Sequence, residues 1–203
     1  MKGTLLGVGV LVVLLAFAGC AKEPATEIAA VSQALDQARA AEAAEYAQRS
    51  LAAAQDAQAQ LQAELDAQKK KFALFRSYGH AKELAAAALT ASQQAATDAA
   101  AGKERARAEA TELMTQTRAA IEEARQMLAT APRGKGSAAD IKALEADLAS
   151  VEASLAEVDG IFSTGKYNAA KAKAQAAIQS VNRIKADVQA AIEMQGKARA
   201  ARQ

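Results

Sequence analysis

Residues 141–162 read IKALEADLASVEASLAEVDGIF, and residues 167–191 read YNAAKAKAQAAIQSVNRIKADVQAA. In the first stretch Ile141, Leu144, Leu148, Val151, Leu155, Val158 and Phe162 recur at alternating steps of three and four. In the second, Tyr167, Ala170, Ala174, Ala177, Val181, Ile184, Val188 and Ala191 keep the same rhythm. Such spacing gathers apolar side chains on one face of a helix. Ser163-Thr164-Gly165-Lys166 between them is a turn sequence. The expectation is an antiparallel helical hairpin over 139–203, turning at 163–166, with the two stripes facing as a coiled-coil-like seam.

Charge supports the same pairing. Residues 139–162 hold six acids and one base, a net of −5, and residues 163–203 hold eight bases and two acids, a net of +6. An acidic helix beside a basic one selects its own partner, although each exposed ion pair adds little stability.

Upstream, Pro132, Gly134 and Gly136 interrupt residues 131–138, so this Pro/Gly segment reads as a linker. Residues 25–130 read as a longer helical hairpin with its turn near 76–80, where Arg-Ser-Tyr-Gly-His carries the first Gly after the leader. Ile28, Val31, Leu35 and Ala38 form one stripe, and Ala47, Leu51, Ala54, Gln58, Leu61, Leu65, Gln68, Phe72 and Phe75 form a second. The two are out of phase, which predicts a slip in the seam near 39–46 of a helix running from about Glu23 to about Lys71. From His80 to about Ala129 the stripe is sparse at first and weakest around Gly102, a candidate bend. It firms up at Leu113, Thr117, Ile121, Ala124 and Leu128. The fold expected is therefore all-α, built from long, coiled-coil-like antiparallel hairpins, and elongated.

The two hairpins echo each other. At an offset of 89, Tyr78, Ala81, Lys82, Ala85, Ala88 and Leu89 meet Tyr167, Ala170, Lys171, Ala174, Ala177 and Ile178. In each case a Tyr opens a helix whose small residues admit a close neighbour. The pattern resembles the second helix of a tetratricopeptide unit, but that unit's period and the marker residues of its first helix are absent.

The chain opens MKGTLLGVGVLVVLLAFAGC. After Lys2, the 17 residues 3–19 carry no charge, slightly fewer than the ~20 that span a bilayer as a straight helix. A polar chain begins at Cys20, the arrangement of a cleaved export signal. Phe17-Ala18-Gly19-Cys20 resembles the lipobox of bacterial lipoproteins, with Phe17 standing where Leu is usual. The resemblance implies a signal peptide over 1–19, a tether over 20–24, and lipidation of Cys20 with diacylglyceryl and N-acyl groups. It makes the membrane the first partner. An uncleaved anchor helix and an ordinary secreted protein with a free Cys are the other readings of the same residues. Ala21 and Lys22 follow the Cys where an Asp would mark inner-membrane retention, so the resemblance implies an outer-membrane lipoprotein facing the periplasm. Most of the remaining chain resembles uncharacterised Ala-rich helical lipoproteins that carry a domain of unknown function; that likeness implies no activity.

Composition narrows the function classes. Residues 20–203 hold 24 Lys+Arg and 23 Asp+Glu, a net of +1, so no strong basic field points to nucleic acid. With one Cys, no internal disulfide forms, and with one His, His80, no soft metal site is expected. Glu122 and Glu123 are adjacent and diverge on a helix, leaving no paired carboxylates for acid–base chemistry. Arg133-Gly134-Lys135-Gly136-Ser137 lacks the spacing of a phosphate loop and reads as linker. Lys69-Lys70-Lys71 reads first as a solvated face, with contact to anionic headgroups or cell-wall polymer as the alternative. No catalytic, metal or cofactor-binding residue is expected beyond the lipid on Cys20. The function expected is that of an envelope spacer, tether or scaffold. The alternative is an interaction module or accessory subunit of an envelope transport or assembly complex.

Overall fold

The computed structural model describes residues 22–133 and 138–200, the side chains of 198 and 199 excepted. The expected signal segment 1–19, Cys20, and residues 134–137 of the linker lie outside the described residues. The elements are α1 (Ala25–Ala40), α2 (Ala43–Tyr46), α3 (Gln48–Lys69), a 3₁₀ turn (Ala73–Phe75), α4 (Gly79–Thr130), α5 (Ala138–Ser163) and α6 (Tyr167–Ala200). There is no strand among the described residues, and the protein is an all-α, multi-helix bundle.

By compactness the chain divides into Met1–Gly102 and Lys103–Gln203. The first unit has two core clusters. Val31 of α1 packs with Leu61 and Leu65 of α3 and with Tyr78, Ala81, Ala85 and Ala88. Leu35 and Ala38 pack with Leu51, Ala54, Ala95 and Ala99. Later residues of α1 thus meet earlier residues of α3, so the two helices run antiparallel, and α4 up to Gly102 closes the bundle. Ala side chains dominate this core. They bury little area each, but they let helix axes approach closely.

The first unit departs from the continuous helix expected over residues 23–71. The chain breaks after Ala40, and Glu42 adopts a left-handed φ of 61°. The out-of-phase stripes belong to two helices folded back on each other, and the slip expected at 39–46 is the connection between them. Pro24 precedes α1, where its missing N–H costs nothing, and its carbonyl accepts from the Ile28 N–H at 3.0 Å. Glu27 in the first turn and Arg39 in the last suit the helix dipole.

Gly102 does not mark a bend; it lies inside α4. A Cβ built there would lie 3.1 Å from Tyr46 Cβ and closer still to the Tyr46 carbonyl oxygen. The residue is Gly because the end of α2 presses its backbone onto α4.

The second unit has one core. Ala110, Met114, Ile121, Ala124 and Leu128 of α4 pack with Ile141, Leu148, Val151, Leu155 and Val158 of α5 and with Ala170, Ala174, Ala177, Val181, Ile184 and Val188 of α6. The α5 and α6 stripes are therefore covered by a third helix. The sequence reading assigned α4 to the N-terminal hairpin and set the boundary at 131–138. The structure instead groups residues from Lys103 onward with α5 and α6, because the firm apolar half of α4 faces them.

Ion pairs follow the same three-way arrangement. Arg118–Asp159 and Arg125–Glu152 tie α4 to α5, which run antiparallel, and Arg133, just past the end of α4, pairs with Glu145 of α5. Glu109–Lys171 and Glu123–Lys185 tie α4 to α6, which run parallel. Lys173–Glu157 joins α5 to α6 directly. Much of the charge match between acidic α5 and basic α6 is thus carried through α4, which offers Arg to one and Glu to the other.

The connection from α5 to α6 is closed by local hydrogen bonds. Ser163 and Thr164 donate their hydroxyls back to the Gly160 and Ile161 carbonyls. The Gly165 N–H donates to the Phe162 carbonyl at 3.0 Å with φ at 80°, a conformation that favours Gly. The Phe162 and Tyr167 rings pack across it with centroids 5.0 Å apart.

Candidate functional site

Cys20, the residue the sequence singles out for lipidation, lies outside the described residues. Three residues on, the Glu23 carboxylate sits 3.1 Å from Lys69 Nζ. This pair places the beginning of α1 beside the end of α3, at the loop that leads into α4.

That loop is pinned at its base and apolar at its tip. Gln68 is buried, and its side chain accepts from the Ser77 N–H at 3.0 Å while donating to Glu64 at 2.7 Å. The Arg76 guanidinium folds back onto the end of α3, donating to the Lys71 carbonyl at 3.1 Å and the Lys69 carbonyl at 3.0 Å. These contacts satisfy carbonyls that a helix end leaves without partners, and they place a cation at the negative end of the helix dipole. Tyr78 closes the base from the other side and is buried in the core. Between these fastenings Phe72, Leu74 and Phe75 stand out at 69%, 73% and 75% exposure. The Phe72 and Phe75 rings touch, with centroids 6.3 Å apart. Lys70 and Lys71 beside them are exposed, with no ion-pair partner among the described residues.

The sequence reading placed Phe72 and Phe75 on the buried stripe of the preceding helix. The structure corrects this. α3 ends at Lys69, so the three-four rhythm no longer maps onto one face. Leu74, which is off that rhythm, is as exposed as the two rings. The available signal was the cluster itself: three large apolar residues in four, bracketed by Lys69-Lys70-Lys71 and Arg76.

The other residues singled out by sequence are dispersed. His80 is exposed in the first turn of α4, its Nδ1 3.4 Å from Glu83. Glu122 pairs with Arg125 on its own helix while Glu123 reaches Lys185 on α6, so the adjacent carboxylates diverge. Arg133 pairs with Glu145 at 2.6 Å. Among the described residues no group of three His, Cys, Asp or Glu gathers that could hold a metal, and no helix is long and apolar enough to cross a membrane. The second unit carries open grooves between helices. One of about 490 Å³ is lined by Glu109, Leu113, Gln116 and Lys171 among others.

Among the described residues, Glu109, Glu157 and Arg125 have displaced proton affinities from ion pairing. The hydrogen bond from Lys171 holds the Glu109 carboxyl below the usual carboxylate range, and Lys173 does the same for Glu157. The hydrogen bond to Glu152 raises the Arg125 guanidinium above its ordinary value. Carboxyls lowered in the folded state favour folding at neutral pH, and this contribution is lost as pH falls through their lowered values. The thermal midpoint should therefore decline on acidification below the ordinary carboxylate range. The double variant Glu109→Gln, Glu157→Gln should show a shallower decline. Melting curves across that range check both; parallel curves for the two proteins would contradict the assignment.

No protein-family model, curated protein or solved structure matches this chain.

Proposed function

We propose that this chain is a bacterial envelope lipoprotein, held in the outer membrane by lipid on Cys20, and that its helical units act as a spacer, tether or scaffold on the periplasmic side. One observation carries the reading: a basic residue, 17 uncharged residues ending in Phe17-Ala18-Gly19, then Cys20 and a polar chain. Two or three acyl chains on one Cys, two through the thiol and a third on its amine, hold a protein firmly where a single chain is marginal. Within each unit, we propose that the antiparallel helices pack as coiled-coil-like hairpins. The dispersed carboxylates and the lone exposed His80 support a non-catalytic role.

The alternative, an accessory subunit of an envelope transport or assembly complex, requires a partner. Purification from a detergent extract of the envelope separates the two. A spacer is expected to emerge without a stoichiometric protein companion. Recovery of one defined companion at fixed ratio would overturn the spacer reading in favour of the subunit.

A further inference from the structure

We propose that the loop over residues 69–76 is a second membrane contact, in which Phe72, Leu74 and Phe75 enter the headgroup region of an anionic bilayer and Lys70 and Lys71 lie against its phosphates. The inference rests on the lipoprotein reading for which bilayer is met, but the loop's own chemistry is independent of Cys20.

Four observations converge on it. The three apolar side chains are the most exposed large hydrophobic groups among the described residues of the first unit, and they are contiguous. Isolated exposed apolar residues are ordinary, but a cluster marks a surface that meets something. The loop is also built rather than slack: Gln68, Arg76 and Tyr78 fix both ends, so the apolar tip is held outward by its base. Its three large apolar side chains are each at least 69% exposed. A deformable bilayer receives such a tip without a preformed pocket, and aromatic rings flanked by cations favour the bilayer interface. Lys70 and Lys71 supply the positive charge that anionic headgroups attract.

The fourth observation is placement. The Glu23–Lys69 pair sets the start of α1 at this same end of the unit. Cys20 precedes Glu23 by three residues, at most about 11 Å of extended chain. A lipid anchor at Cys20 and the apolar tip at 72–75 can therefore address one membrane surface. Together they would orient the first unit, where an anchor alone would leave it free to swing.

The chain has no Trp, so Phe75→Trp supplies a single fluorescent reporter at an exposed site outside the core clusters, beside the Phe72 ring. The full chain carrying it is reconstituted in vesicles of phosphatidylethanolamine and phosphatidylglycerol, and separately in phosphatidylcholine alone. The expected result in the anionic vesicles is a blue-shifted emission that lipids brominated near the headgroup quench. The quenching is lost when Lys70→Glu and Lys71→Glu are added, and it is weaker in phosphatidylcholine. Emission at the solvent-exposed position, unquenched in both vesicles, would overturn the proposal. A blue shift without quenching would also overturn it, pointing to a protein partner or a second copy on the loop. The mass at Cys20, measured on the same sample, separates the two readings. Quenching with an unmodified Cys20 retires the lipoprotein and keeps the loop contact; an acylated Cys20 without quenching does the reverse.

Discussion

Leu155→Ala is expected to destabilise the second unit by about 3–5 kcal/mol, the upper part of the range for a buried Leu that leaves a cavity. Leu155 is only 6% exposed and sits in the cluster shared by α4, α5 and α6. A seam between α5 and α6 alone, the pairing the stripes imply, would be open to water along its sides and would lose less. The apolar half of α4 covers that seam, so water cannot fill the space left by a truncated side chain. Glu152→Gln, at a half-buried position at the rim of the same helix, removes the partner of Arg125 and should cost far less, because that ion pair is open to solvent. Thermal melts of the two variants decide the matter. A greater loss from Glu152→Gln would mean that charge pairing, and not the shared core, holds the second unit together.

Gly102→Ala is expected to destabilise the first unit by about 1–3 kcal/mol through overpacking. In an exposed helix interior the same change would stabilise by about 1 kcal/mol, because Ala loses less backbone entropy than Gly. Here the added methyl meets Tyr46, including backbone that cannot rotate away. Either α2 shifts off α4 or the helix bends, and both loosen the packing around Ala43 and Ala99. Gly160→Ala is the control. Gly160 is exposed on α5, and a methyl added there would meet nothing within 4 Å, so the change should raise the melting temperature slightly. If both substitutions stabilise, the close approach of α2 to α4 is not what requires Gly102.

The parts of the fold that sequence reveals are those built from Leu, Ile and Val. The stripes Ile141 to Val158 and Val181 to Val188 stand out against polar neighbours, and their members are buried or half-buried. The first part of α4 is different. Its buried face is Ala81, Ala85, Ala88, Ser92, Ala95 and Ala99, and Ala is also abundant on its exposed face. Hydropathy cannot tell the two apart, so that stretch looked sparse. The echo at an offset of 89 held the missing information. It continues past Ala88 and Ala177, matching Ser92, Ala95 and Ala99 to Val181, Ile184 and Val188, all buried. A small residue in one unit stands where a branched apolar one stands in the other.

The break after Ala40 was harder to place, because neither Gly nor Pro marks it; the left-handed residue is Glu42. Only the phase change between the stripes betrays it. The candidate loop was misread for a related reason. Phe72 and Phe75 keep the helical rhythm in sequence, but the helix stops at Lys69, and Arg76 and Gln68 fasten its end through backbone contacts that no spacing rule reports. The lipidation reading at Cys20 came from the local string Phe17-Ala18-Gly19-Cys20 and owed nothing to packing.

Mass spectrometry of the amino end of the chain purified from its native envelope tests that reading most directly. The proposed lipoprotein should lack residues 1–19 and begin at Cys20, with diacylglyceryl mass on the thiol and an acyl group on the new amine. A chain that begins at Met1, or one whose Cys20 carries no lipid, would contradict it.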